Sequence, residues 1–167
     1  MQRKQPRINL EPTWFDRVLD GLSFTAMILM WVIVVVEYPN LPERIPIHFD
    51  LKGNIDNYGS RHTIFLLPAI ISVVITGMTF LNRHPHIFNY PVKITDENAF
   101  SEYSRATRLI RVVKFIIVAF VNLMIYEMIR SAKVGHSTLP AWVLIAFIIL
   151  LMAPVAVAVY RSRKGKP

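Results

Sequence analysis

The chain has 167 residues, 53% of them hydrophobic, with no cysteine and a formal net charge of +8. The missing cysteines exclude disulfides and thiolate metal sites, and they leave the redox compartment unread. Soluble domains are also about half apolar, so the decisive property is distribution: the apolar residues lie in four blocks, with the charges between them.

In chain order, Met1–Glu11 is polar and aperiodic and is expected to be mobile. Pro12-Thr13-Trp14 opens a helical turn into the first apolar block, Leu22–Val36. A bilayer core of about 30 Å needs roughly 20 helical residues, so the first span is drawn over 18–37, with Asp20 at the interface. Cationic residues precede it, but no small-x-small cleavage site follows "WVIVVVEYPN", which favours a retained helix over a signal peptide. Tyr38-Pro39 ends the span, because the residue before proline avoids the α region.

The segment 38–61 holds Pro42, Pro46, Gly53 and Gly59 and reads as a structured loop, with "RIPIHF" extended and "KGNIDNYGS" as turns. The second span is drawn over 62–82 and contains Pro68, expected to kink it. In the loop 83–111, Thr95 fits an N-cap with Asp96 and Glu97 in the first turn, so a helix is expected from about Asp96 into the third span, 112–129. Lys114 is expected to snorkel to the headgroups, and Asn122 to make a helix–helix hydrogen bond. The fourth span, 139–160, has no polar face and contains Pro154. A helix apolar all round is buried in a large core or crosses a membrane, and 167 residues cannot supply four such cores.

Charge sets the expected orientation. Four basic residues precede the first span (Arg3, Lys4, Arg7, Arg17), and six lie between the second and third (Arg83, Lys93, Arg105, Arg108, Arg111, Lys114). Four more follow the fourth (Arg161, Arg163, Lys164, Lys166), so fourteen of the 19 Lys and Arg fall on one side. Arg44, Lys52, Arg61, Arg130 and Lys133 fall on the other. The positive-inside rule then places both termini in the cytoplasm. The basic excess suits anionic lipid headgroups at about 1 kcal/mol per residue and needs no nucleic acid. Trp14, Trp31, Tyr38, Trp142 and Tyr160 fall near span ends as an aromatic belt does, with Trp31 deeper than the rest. The expected class is therefore an all-α integral membrane bundle of four transmembrane helices. A structured extracytoplasmic loop joins helices 1 and 2.

The stretch "EYPNLPERIPIHFDLKGNIDNYGSR" resembles the family of domains of unknown function numbered 1648. The matching positions are Leu41, Pro42, Ile45, Pro46, His48, Phe49, Asp50, Gly53, Asp56, Gly59, Ser60 and Arg61. That family includes the N-terminal half of the immunity protein for the sporulation-delaying toxin. The resemblance implies a multi-pass protein of the bacterial inner membrane with an immunity or signalling role and a peptide, lipid or protein partner.

Candidate site residues concentrate in the same loop. His48, Asp50, Asp56 and His62 combine imidazole and carboxylate, which suit zinc or manganese, and His48 and Asp50 share a face of an extended strand. The alternative is that His48 and Asp56 only hold the loop together. Asp50, Lys52, Asn54 and Asp56 alternate like a calcium loop, but Lys52 occupies a ligand position and Arg61 stands where Glu is needed, which excludes an EF-hand. Glu127 is an ionisable residue within a span, a functional hypothesis by default, and Arg130 lies one turn away. Glu127 and Glu37 could join His48 and Asp56 around one polar pocket if the loop folds inward. His84 and His86 flank Pro85 and make a poor chelate. Nucleophile and phosphate-loop motifs are missing from the sequence.

Two readings follow. One is a non-enzymatic membrane protein whose outer loop binds a partner, with His48, Asp50, Asp56, Arg61 and Glu127 as contacts or loop organisers. The other is a metal-dependent membrane hydrolase with zinc or manganese on His48, Asp50 and Asp56. Transport has little support, since four spans carry scarcely any buried charge, and the sequence is silent on oligomeric state.

Overall fold

A computed structural model of the chain describes residues 5–137 and 139–164. Its elements are α1 (Trp14–Glu37), β1 (Arg44–Phe49), β2 (Ile55–Ser60), α2 (Leu66–Leu81), α3 (Ala99–Val134) and α4 (Trp142–Lys164). Short 3₁₀ turns at Tyr38–Asn40, Arg61–Phe65 and Pro85–Ile87 join them. Among the described residues four helices are long and apolar enough to cross a membrane. Most of their apolar surface points outward, and the apolar window of α4 buries none of its residues inside the chain. That is the pattern of helices solvated by lipid rather than water.

Local chemistry sets the boundaries. The Thr13 side chain caps the backbone of Asp16 while Asp16 reaches back to the Thr13 N–H at 2.9 Å, a capping box that starts α1. Pro68 lies just past the change from the 3₁₀ turn Arg61–Phe65 to the α-helix. It falls in the first turn of α2, where proline is best tolerated. α3 starts at Ala99, a turn later than Asp96, and runs unbroken for 36 residues. At 1.5 Å per residue that is about 54 Å, well beyond a hydrocarbon core, so its first turns belong to the polar end. Gly135, in the left-handed conformation, closes it.

α1, α2 and α3 share one core, in which Met30, Val34, Ile64, Ile75, Val118 and Ile125 have almost no exposure. Two polar contacts lock the helices within it. Asn122 Nδ2 donates to the Ala26 carbonyl at 3.1 Å, the helix–helix bond expected of it. Trp31 Nε1 donates to Ser72 Oγ at 2.9 Å, so Trp31 faces α2 inside the bundle and is not a belt residue.

The loop between α1 and α2 is more regular than expected. It is an antiparallel hairpin, so the fold is not purely helical. β1 matches the extended piece read at "RIPIHF"; β2 lies in the stretch read as turns. The N-terminal expectation is also corrected. Gln5 Nε2 donates to the Phe88 carbonyl at 3.0 Å, and Tyr103 Oη donates to the Pro6 carbonyl at 2.9 Å, so the segment is held at Gln5 and Pro6. Met1–Lys4 and Lys166 lie outside the described residues.

Candidate functional site

The hairpin is the candidate site at one end of the bundle. Its tip is the five residues 50–54, closed by the Asp50 N–H on the Asn54 carbonyl at 2.8 Å, with a glycine supplying the positive φ that tight hairpin turns use. The Gly53 N–H donates to the Asp50 carbonyl at 2.9 Å, and Gly53 takes φ +87°. Asp50 organises this turn: Oδ1 accepts from the backbone N–H groups of Lys52 and Asn54 at 2.8 Å, and Oδ2 accepts from Asn54 Nδ2 at 3.1 Å. The Asn54 backbone and side-chain donors, with lesser help from Lys52, hold the Asp50 carboxyl below its ordinary value.

Register irregularities at Ile47 and Asp56 let the two strands coil, and the buried Leu41 and Ile45 join the bundle core beside Ile125, Met128 and Ile129. The tip itself presses on the α3–α4 connection: a Cβ at Gly53 would stand 2.1 Å from the Leu139 carbonyl oxygen. The hairpin is therefore docked, not pendant.

The expected site residues are distributed over this frame. His48 Nδ1 and Asp56 Oδ1 meet at 2.6 Å across the exposed face, with side chains 66% and 43% accessible. Arg61 stitches the base, its backbone N–H on the Glu43 carbonyl, Nη1 on the Leu41 carbonyl, and its guanidinium 5.3 Å from the Tyr38 ring centre. His62 pairs with Tyr38 Oη at 2.7 Å rather than with a carboxylate. Glu127 is buried and accepts from Ser131 Oγ at 3.0 Å and Ser137 Oγ at 3.2 Å, which ties the α3–α4 connection to α3. Glu37 pairs with Lys133.

Glu127, Glu37 and the His48–Asp56 pair thus each have described partners of their own. Asp50 spends both oxygens on the turn, and among the described residues no group of three or more His, Asp or Glu side chains is gathered. What the structure does form is an apolar cavity of about 230 Å³. It lies under the hairpin, between Ile47, Phe49, Phe120, Met124, Met128 and Leu144, with His48 and Asp50 also in its lining.

A second cluster, at the opposite end, escaped the sequence reading. Lys114 is not a snorkelling residue: it has no exposure, and its Nζ donates to Asp20 Oδ1 at 2.5 Å and Thr79 Oγ1 at 3.2 Å. Arg111 Nε donates to Asp20 Oδ2 at 2.9 Å, and Arg108 Nε to Asp16 Oδ1 at 3.1 Å. Buried charges persist when paired and hydrogen-bonded, and this network fastens α1 to α3. Its signature was present in the chain: carboxylates at 16 and 20 are one turn apart, and cations at 108, 111 and 114 recur every third residue.

Comparison with known proteins adds the following. A curated relative, an uncharacterized protein of Archaeoglobus fulgidus, is 28% identical over 159 residues, covering 85% of this chain and 87% of its own. No solved structure matches the chain. Residues 25–71 match the family described as a domain of unknown function, DUF1648. That match runs from the middle of α1 through the hairpin into α2, so the hairpin and the helices that carry it are what this chain has in common with that domain.

Proposed function

We propose that the chain is a multi-pass protein of the cell membrane, with both termini cytoplasmic, that receives an extended peptide segment at its outward-facing hairpin. The observation that carries the reading is the apolar cavity of about 230 Å³ beneath a hairpin held rigid by its own docking. Met124 and Met128 in its wall suit a site that adapts to apolar side chains. Among the described residues β2 pairs only with β1, so it offers an open edge to strand addition, with Asp56, Asn57 and Tyr58 exposed along it. A peptide is also what the resemblance to the toxin-immunity relatives implies, and the split of basic residues between the two ends supports the orientation. No observation favours the metal-dependent hydrolase, since Asp50 is committed to the turn.

The test is binding of labelled apolar synthetic peptides to the full chain in lipid nanodiscs. Saturable binding is expected, abolished by Met124→Trp, which fills the cavity, and weakened by Tyr58→Pro, which blocks the β2 edge. Failure of every peptide to saturate the wild type, or unchanged binding by a folded Met124→Trp protein, overturns the proposal.

A further inference from the structure

α3 and α4 run antiparallel, and the Phe120 and Phe147 rings stack with centroids 3.7 Å apart. That contact fixes the level of every other pair along the two helices. Counting back along the antiparallel helices brings Arg105 level with Arg161, Leu109 with Val157, and Val112 with Pro154. These six residues line a groove of about 480 Å³ at the end away from the hairpin, and Arg108 and Glu102 complete its charged mouth. Seven residues of helix separate the arginine level from the Val112–Pro154 level, a rise of about 10 Å. Within that distance the lining changes from cationic to wholly apolar.

We propose that this groove holds one anionic phospholipid, its phosphate at Arg105, Arg108 and Arg161 and the upper part of an acyl chain along Leu109, Val112, Pro154 and Val157. Charge balance supports an anion. The mouth and the buried network beside it contain five cations (Arg105, Arg108, Arg111, Lys114, Arg161) against three carboxylates (Asp16, Asp20, Glu102). Glu102 takes up part of Arg105 at 2.9 Å, and Asp16 part of Arg108, yet Arg161 has no charged partner among the described residues. Polarity supports a lipid over a soluble anion. The groove lies between two helices apolar enough to span, one of which buries none of its apolar window inside the chain, so its lower half meets hydrocarbon. The site is at the far end from the peptide cavity and stands or falls independently of it.

The experiment is native mass spectrometry of the full chain released from micelles containing phosphatidylcholine and phosphatidylglycerol. One phosphatidylglycerol is expected to stay bound in preference to phosphatidylcholine. Arg161→Gln, an exposed change that disturbs no charged pair seen among the described residues, is expected to cut that preference about fivefold. Val157→Trp is expected to lose the lipid with the arginines intact. Equal retention of both lipids overturns the proposal, as does a preference undiminished in Arg161→Gln. Protection of the thermal transition by inorganic phosphate alone, equal to that by phosphatidylglycerol, would assign the site to a soluble anion and likewise overturn it.

Discussion

Lys114 of α3 donates to Asp20 of α1 at 2.5 Å from a position with no solvent exposure, with the Phe24 ring 5.3 Å from its ammonium. Removing one partner strands the other charge in a low-dielectric interior. Asp20→Asn is expected to destabilise the bundle by about 3–5 kcal/mol, read as a lowered thermal transition in detergent. Because Arg111 also donates to Asp20, recovery needs all three charges replaced together: Asp20→Leu with Lys114→Met and Arg111→Met should regain most of that loss. A single mutant as stable as the wild type would show that the pair is not buried as described.

Gly53 combines φ +87° with the Leu139 carbonyl 2.1 Å from where a Cβ would stand. Gly53→Ala is expected to cost about 1–3 kcal/mol of local stability through backbone strain and to push the tip off the α3–α4 connection. Faster amide exchange at both Asn54 and Leu139 is the expected signature. If exchange rises at the tip alone, the two segments do not touch.

The hairpin turn should be acid-sensitive with a defined sign. Donors from Asn54 and Lys52 hold Asp50 below its ordinary value of 3.8, so its contribution is complete above that value and is lost as pH falls through the lower, folded one. Amide protection at Lys52 and Asn54 should therefore be flat from neutral pH down to about the unfolded carboxylate value and fall below it. Asp50→Ala should abolish the pH dependence, not merely shift it.

His48 and Asp56 make a short contact on an exposed face, where ion pairs contribute about 0–1 kcal/mol. His48→Ala is expected to leave the thermal transition within that range while weakening peptide capture at the β2 edge. A large loss of stability would mean that the pair holds the hairpin together.

The four membrane helices were legible because uninterrupted apolar length carries that information without any tertiary context. Strand β2 was not legible. Ile55–Ser60 is mostly Asp, Asn, Gly and Ser around one Tyr, which local propensity disfavours in a strand; docking of Leu41 and Ile45 into the helix core holds the hairpin in place. Of the site residues, His48 and Asp56 were expected to meet only around a metal or a shared pocket, and hydropathy could not show that Asp50 would turn back to cap its own loop. Lys114 was misplaced for a related reason. Its position in a span fixes its depth, while the direction it faces depends on Asp20, far away in the chain.

The docking of the hairpin also bears on the order of biosynthesis. Ile45 and Gly53 leave the ribosome long before Ile125, Met128 and Leu139, against which they settle. The hairpin must therefore wait, with the side that meets them uncovered, until α3 and α4 arrive in the bilayer. Its final shape is a late event in assembly, although its residues are translated before both helices that complete its seat.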